Sequence, residues 1–282
     1  MTQILVTGAT GTVGSEVVAQ LLAAGADVRA MSRDPETAEL PSGVTAVRGD
    51  LTEPQSLAAA LDGIDTLFLV WTAPAPAAEA AIAAIAQHAR RVVFLTAPHQ
   101  TPHPFFQQPN AMATMQADIE RRIMQSNLRW TFIRPSMFAA NARMWWAGQI
   151  RTGDVVRWPY GDAPTAPIHE RDIAAVAVRA LLDDSHDGGD FVITGPESLT
   201  QREQVEILGE VLHRPLRFEE LTPDEARREL AAPPPVITML LNAWSAALGQ
   251  PAYLTDKVEA ITGRAPRTFR EWAADHAHDF LA

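Results

Sequence analysis

Ile4-Leu5-Val6-Thr7-Gly8-Ala9-Thr10-Gly11-Thr12-Val13-Gly14 decides how the rest of the chain is read. Ile4 to Thr7 is a short apolar, β-branched run that predicts a strand. Glycines follow at every third position, and Ser15 to Ala24 predicts a helix with Val17, Val18, Leu21 and Leu22 on one face. Strand, glycine turn and helix in this order open a dinucleotide-binding fold. One glycine makes the tight turn, one lets the backbone approach a pyrophosphate, and one lets the helix pack close to the strand. The helix start offers unpaired N–H groups and a positive dipole end to the phosphates. The cradle residues expected to bind the cofactor are Gly8, Thr10, Gly11, Thr12, Val13 and Gly14. A glycine-rich surface turn is the alternative, but strand and helix both stand where a cradle needs them.

Composition narrows the partners. The 282 residues carry a net charge of −11, with 47% hydrophobic and 20% charged residues, an ordinary globular mixture with enough apolar surface for a full core. The acidity argues against a nucleic-acid partner or an anionic membrane surface, because both want a basic footprint. The chain has no cysteine, which excludes disulfides, thiolate metal sites and cysteine nucleophiles. No run reaches the length of a membrane span, and the first residues lead into a strand with no signal-like segment. The expected location is the cytoplasm.

Outward from the glycines, the pattern alternates. Asp27 to Arg33 reads as the second strand. Its end is where the adenosine ribose lies in this fold, and Ser32 with Arg33 forms a hydroxyl beside a guanidinium fork, the donor pair that suits the 2′-phosphate of NADP(H). Val44 to Gly49 reads as a third strand. Asp50 and Leu51 end it, Asp50 either facing the adenine or capping the helix from Gln55 to Leu61. Thr66 to Val70 is an uninterrupted apolar run, as central parallel strands show. Trp71 and Thr72 follow it at the edge where ligands bind. Ala77 to Arg90 is an alanine-rich helix, and Val92 to Leu95 is a fifth strand ending at Thr96. The expected fold is α/β, a Rossmann-type doubly wound parallel sheet with a smaller, mostly C-terminal substrate-binding region.

Pro98 to Pro109 holds four prolines and cannot be a helix, so it hangs as a loop over the crevice. Ala111 to Asn127 is helical, and Trp130 to Pro135 is strand six. Beyond it the alternation breaks. His169 to Asp172 precedes a helix from Ile173 to Leu182, with Asp172 as the expected N-cap, and Phe191 to Thr194 is a further strand. Val236 to Leu248 is an apolar helix, either a lid or a dimer face; a homodimer is allowed but not required. Thr268 and Glu271 have capping-box spacing at the start of a final helix, Phe269 to Leu281. The expected division is 1–135 for the dinucleotide core and 136–282 mainly for substrate, with 168–195 returning to the core.

Four stretches together resemble the NmrA-like group of atypical short-chain dehydrogenases/reductases: Val6 to Gly14; Arg33 after strand two; Gly49-Asp50-Leu51-Thr52; and Leu128-Arg129-Trp130-Thr131-Phe132-Ile133-Arg134-Pro135. Ile168 to Ala174 is similar to the segment before that group's late helix. The resemblance covers essentially the whole chain. It implies NADP(H) as cofactor, with Pro135, Trp71 and Thr72 on the cofactor side, and His169 near the pocket. The group includes NADPH-dependent quinone reductases, triarylmethane-dye reductases and redox-sensing regulators.

One departure matters. Members of the wider superfamily use a Tyr and a Lys four residues apart, beside a Ser or Thr after strand five, as a proton relay. Here Met112 takes the Tyr place and Gln116 the Lys place, while Thr96 keeps the hydroxyl. The one lysine, Lys257, stands four residues after Tyr253, far from that helix. The expected catalytic residues are therefore Thr96, Gln116 and His169, with Thr96 and Gln116 also reaching the cofactor. The expected substrate side comprises His99, Phe105, Phe106, Met112, Phe138, Trp145, Trp146 and His169, which would suit a small, flat aromatic substrate; each aromatic could equally be core. His99, His103 and His169 are the candidate proton donors. No metal is expected, because no third ligand stands at metal spacing. Three functions stay open: a reductase passing hydride to a quinone-like acceptor, a non-catalytic NADP(H) sensor, and a non-redox isomerase or dehydratase.

Overall fold

A computed structural model describes residues 3–281. β1 (Gln3–Thr7) runs into α1 (Thr12–Ala23), and β2 (Asp27–Ser32), β3 (Thr45–Arg48), α2 (Pro54–Leu61), β4 (Thr66–Val70), α3 (Ala78–His88), β5 (Arg91–Leu95), α4 (Ala111–Gln125) and β6 (Arg129–Pro135) follow. Except between β2 and β3, which a loop connects, the order is that of repeated strand–helix–strand units, which close right-handed and so give parallel neighbours. Beyond β6 come α5 (Asn141–Thr152), β7 (Val155–Pro159), β8 (Pro164–Thr165) and α6 (Glu170–Leu182). β9 (Asp190–Ile193) then returns to the sheet, whose parallel order is β3-β2-β1-β4-β5-β6-β9. The order reverses between β1 and β4, which opens a crevice at the carboxyl ends of the strands. Thr7 pins that point: its Oγ1 accepts from Val70 N–H at 2.7 Å and lies 3.1 Å from the Val70 carbonyl.

Both faces of the sheet are covered. On one side Leu67, Leu69, Val92 and Phe94 pack against α2, α3 and α4; on the other Val6, Phe68, Val93 and Ile133 pack against α1 and α6. This double burial explains the continuous apolar strands. A third core stands apart from the sheet. β10 (Leu199–Thr200), α7 (Gln201–Leu212), β11 (Arg217–Leu221), α8 (Pro223–Glu229), α9 (Pro234–Ala247), α10 (Lys257–Thr262) and α11 (Phe269–Asp275) complete the chain. Trp146, Trp158, Trp244 and Trp272 meet there among α5, β7, α9 and α11. Each such side chain taken from water contributes on the order of 2 kcal/mol.

Two expectations are corrected at α6 and the C-terminus. The N-cap of α6 is His169, whose Nδ1 accepts from Arg171 N–H at 3.2 Å; Asp172 lies within the first turn and accepts from Arg267 N–H at 2.6 Å instead. The final helix is not continuous to Leu281. It breaks at His276, and a 3₁₀ turn covers Ala277–Phe280. The His276 ring reaches across to Glu170, Nε2 to Oε1 at 2.6 Å. The capping box at Thr268 and Glu271 forms as expected.

Candidate active site

The glycine turn builds the floor of a cleft of about 620 Å³ at the carboxyl edge of β1, β2 and β4. Gly8 has φ +61°, a conformation costly for any residue with a Cβ. A Cβ on Gly14 would stand 2.0 Å from the Gly8 carbonyl oxygen, so only glycine lets α1 seat against the turn. Gly11 is different: it is the N-cap of α1, and a Cβ there would meet only the Gly8 oxygen at 3.2 Å and otherwise open space. The first turn of α1, with Thr12, Val13 and Gly14, contains no acidic residue, so its free N–H groups face an anion without a competitor.

Gly8, Thr10, Gly11, Ser32, Arg33, Asp50, Leu51 and Thr72 all line this cleft. Ser32 Oγ accepts from Asp34 N–H at 3.1 Å and keeps its own proton to donate. Asp50 accepts from Thr52 N–H and Thr52 Oγ1, both at 2.7 Å. The backbone bond, followed by the hydroxyl, holds its carboxyl below the usual aspartate range. Asp50 is not the N-cap of α2, which is Glu53. Met31, Thr37 and Glu39 also line the cleft; the sequence carried no signal for them, because a loop's path after β2 is not periodic. Trp71 does not take part. Its indole is buried in the α2–α3 core, with Nε1 donating to Ala73 O at 2.6 Å.

β4 and β5 pair with Val70 opposite Leu95, so Thr72 and Ala97 leave the sheet at the same level. From there a second, apolar cleft of about 90 Å³ begins. Ala97, His99, Phe105 and Phe106 come from the 98–109 loop and its approach, Ala113 from α4, Met137 from beyond β6, and Met239, Leu240 and Ala243 from α9. No Arg or Lys lines it. A smaller cavity adjoins it, sharing Phe105, Phe106 and Met137 and including Tyr253.

Behind this cleft lies a buried polar cluster. Arg134 on β6 is 2% exposed. It bonds Glu120 bidentately at 2.8 and 2.9 Å, the Ala97 carbonyl at 2.8 Å, and Asp190. Burial works against its charge, yet the bonds to Asp190 and Glu120 outweigh it and hold its pKa above the ordinary value. Thr96 Oγ1 donates to Glu120 Oε1. Gln116, one turn before Glu120, is buried with an Oε1 that has no partner. Glu120 was not among the expected residues. A charged residue in the apolar strand Trp130 to Pro135 was the signal, since a buried arginine demands a carboxylate, and Glu120 stands i+4 from Gln116.

Several expected residues lie elsewhere. Trp146 is fully buried, and Trp145 stacks on Trp158 at 5.5 Å in the third core. Phe138 packs with the α1–α6 core, and Met112 is 60% exposed and lines neither cleft. Pro135 is buried where β6 pairs with β9 at Ile193. His169 is 1% exposed and occupied as the α6 cap. His103 is buried with Nε2 at 3.0 Å from the Pro251 carbonyl. Lys257 is exposed at the start of α10 beside Asp256. No relay of Tyr and Lys forms on α4. Among the described residues, no three His, Asp or Glu side chains gather as a metal site, and no helix is long and apolar enough to cross a membrane.

The cleft meets a set of matching proteins. A family model described as NAD(P)H-binding matches residues 8–184. A (4-alkanoyl-5-oxo-2,5-dihydrofuran-3-yl)methyl phosphate reductase from Streptomyces griseus is 41% identical over 98% of this chain and 99% of its own. An NAD(P)H azoreductase from Xenophilus azovorans is 34% identical over 99% of each. The NADPH complex of an Escherichia coli NADPH-dependent quinone oxidoreductase superposes with a TM-score of 0.82 at 20% identity, covering 96% of this chain and 99% of that one.

Proposed function

The chain belongs to the NAD(P)H-binding family, in the NmrA-like group of atypical short-chain dehydrogenases/reductases, and is an NAD(P)H-dependent oxidoreductase; from that premise we propose that it reduces a flat, electrophilic, conjugated acceptor of quinone-like type with NADPH. The apolar cleft between the 98–109 loop and α9, opening beside the end of β5, carries this reading. Its aromatic and thioether walls suit a planar ligand. It is smaller than a two-ring acceptor, so the unbranched side chains of Met137 and Met239 shift to admit one.

The residues present fit a dinucleotide. Gly8 to Gly14 leave room for a pyrophosphate that a Cβ at Gly11 would fill, Arg33 and Ser32 offer donors to a 2′-phosphate, and the orphan Gln116 Oε1 seeks a donor such as a ribose hydroxyl or carboxamide. Bound there, NADPH supplies the hydride. We assign residues 1–135, with 168–195, to holding it, and the remainder mainly to covering the acceptor. Gln116 carries no charge and Thr96 spends its proton on Glu120, so neither does the work of the missing Tyr and Lys. Acceptors that are themselves electrophilic need that help least.

A second acceptor class has its own support: the 41% identical relative is named for a dihydrofuranone phosphate. The absence of a cationic lining residue in the apolar cleft favours an uncharged acceptor for this chain. The test mixes protein and NADPH with a quinone, an azo compound and a 2,5-dihydrofuran-2-one, following reduced-nicotinamide absorbance. Quinone turnover with NADPH that falls roughly 100-fold in Arg33→Glu, while turnover with NADH holds, supports the reading, since charge-assisted bonds are worth about 2–3 kcal/mol. Tight NADPH binding without consumption by any acceptor overturns it.

A further inference from the structure

We propose that Asn110 is the donor that holds the acceptor's carbonyl oxygen, so that this site selects acceptors bearing a conjugated C=O over those that offer no oxygen. The inference deepens the acceptor reading above and rests on it. Three polar side chains line the apolar cleft: His99, Gln108 and Asn110. His99 keeps Nδ1 at the Ala97 carbonyl, 3.0 Å away, and its Nε2 is closed off beside Glu120. Gln108 Nε2 donates to the Pro104 carbonyl at 3.0 Å and so ties its own loop together. Asn110 differs from both. It is the N-cap of α4, and its Oδ1 accepts from Met112 N–H at 3.0 Å and from Ala113 N–H at 3.1 Å. Its backbone carbonyl accepts from Thr114 N–H at 3.0 Å and from the Thr114 hydroxyl at 3.1 Å. Among the described residues Nδ2 has no hydrogen-bond partner, and it is not shut away from solvent as His99 Nε2 is.

The cap fixes which way the amide points. Two N–H groups can be met only by an acceptor, so the oxygen lies over the first turn of α4 and the NH2 group lies away from it. Ala113, which holds that oxygen, is itself part of the cleft wall. The amide is therefore anchored on the wall of the cleft with both Nδ2 protons uncommitted. A flat ligand that enters between the aromatic and thioether walls strips water from this donor, which then needs an acceptor from the ligand in exchange. The helix start strengthens it. α4 is 15 residues long and turns its positive end to Asn110. An amide whose oxygen accepts two bonds is polarised and donates better through its nitrogen. No carboxylate lines the cleft to compete for it.

The donor matters most once hydride has moved. A conjugated lactone that gains a hydride at its β-carbon loses the C=C π bond; that pair shifts toward the carbonyl, and the C=O π pair ends on the oxygen as an enolate. A quinone that gains a hydride becomes a hydroquinone anion, with its charge likewise on oxygen. Asn110 gives up no proton in either case: its N–H holds the oxyanion, and solvent supplies the proton. Overall, acceptor, NADPH and one proton from solvent give the reduced acceptor and NADP. A triarylmethane cation takes the hydride at carbon, becomes neutral, and brings no oxygen to this donor.

The test measures kcat and KM of Asn110→Asp and Asn110→Ser with NADPH and a quinone, with a triarylmethane cation as alternative acceptor or competitor, beside the thermal unfolding of each variant. Asp and Ser cap helices about as well as Asn, so both variants keep the start of α4 and melt close to the unaltered protein. Asp removes the donor and sets a charge against the oxyanion. Ser is a neutral cap whose side chain ends where Asn110 Cγ stands. Losing one oxyanion donor costs about 100-fold or more in a closed site. This cleft is more open, and the expected loss of kcat on the quinone is about 30-fold in Asn110→Asp and about 10-fold in Asn110→Ser, with smaller changes in KM. The cation responds in the opposite sense to Asn110→Asp: drawn by the new carboxylate, it is reduced faster or competes more strongly, by about 3-fold. A quinone kcat unchanged in both variants would make Asn110 a helix cap only and overturn the proposal, as would equal losses on quinone and cation. Should the unaltered protein reduce no quinone, the acceptor reading itself fails and takes the proposal with it; should it reduce quinone while neither variant loses kcat on it, only the proposal fails.

Discussion

The cofactor cradle and the acceptor cleft leave the same sheet edge side by side, yet they are made of different material. The cradle is backbone: seven consecutive residues, Gly8 to Gly14, set a turn and a helix start, and side chains matter chiefly by being absent. The cleft is side chain: His99, Phe105, Ala113, Met137 and Met239 come from four separate stretches and meet only in the fold. A site made from backbone dictates residue type at fixed spacing. A site made from side chains asks only for approximate shape and polarity, and tolerates many sequences.

The sharpest way to break this contrast is within the cradle, where two glycines have different jobs. Gly14→Val places atoms inside the Gly8 carbonyl, at 2.0 Å for the Cβ alone. It should cost both fold stability and NADPH affinity, the latter by more than about 100-fold, because the turn itself must move. Gly11→Val meets only the Gly8 oxygen, at 3.2 Å, and otherwise open cleft, so it should lose affinity while lowering the melting temperature far less than Gly14→Val. Fluorescence titration and thermal unfolding of the two variants settle it. Unchanged affinity in Gly11→Val would mean that the pyrophosphate does not approach that backbone.

The cluster behind the acceptor cleft offers the next largest effect. Arg134→Met leaves Glu120 buried with only the Thr96 hydroxyl and the nearby His99 ring as polar company, and breaking a buried pair in this way costs about 3–5 kcal/mol. Arg134→Met with Glu120→Leu should recover most of that loss, because the double change removes both charges. Urea unfolding of the single and double variants measures it. If the single change costs less than about 1 kcal/mol, the cluster does not hold the cleft wall.

The same contrast explains what could be read beforehand. The parallel sheet followed from apolar runs separated by helices, and Gly8, Gly11, Ser32, Arg33, Asp50 and Thr72 lie together because they end consecutive strands of one sheet. Trp71 misled, since neighbours on a strand point to opposite faces and only Thr72 turns to the cleft. Trp145 and Trp146 misled for another reason: aromatic residues announce burial but not against what, and here they fill a third core with Trp158 and Trp244. Glu120 was legible only in hindsight, as the counter-charge that Arg134 requires. Met137 and Met239 had no sequence signal, because which loop or helix closes over a cleft is set by tertiary packing.

Two histidines, His99 and His169, looked alike in sequence, but His99 lines the apolar cleft whereas His169 is buried as the cap of α6. His169 and Glu170 start α6 and meet the C-terminal segment, where His276 Nε2 stands 2.6 Å from Glu170 Oε1 and Nδ1 stands 3.3 Å from Asp279 Oδ2. Asp275 lies 3.4 Å from His169 and 2.6 Å from Arg171. The bond to Glu170 raises the His276 pKa above 6.5. Burial pushes the Glu170 carboxyl up, but the neighbouring His169 ring and the bond to His276 outweigh it and hold it below 4.5. A raised histidine contributes stability that is full below about 6.5 and disappears as pH rises through the folded-state value. A lowered carboxyl contributes stability that is full above about 4.5 and disappears as pH falls. The pair therefore clamps the C-terminal segment best between these limits. His276→Gln keeps a donor for Glu170 but no charge, so it should cost about 1–2 kcal/mol near pH 6, with the difference from the unaltered protein shrinking steadily toward pH 9. Cofactor binding should be untouched, because this latch lines neither cleft. Unfolding curves across that pH range decide it: a difference that stays constant with pH would show that the ring contributes packing and a neutral hydrogen bond, and no charge.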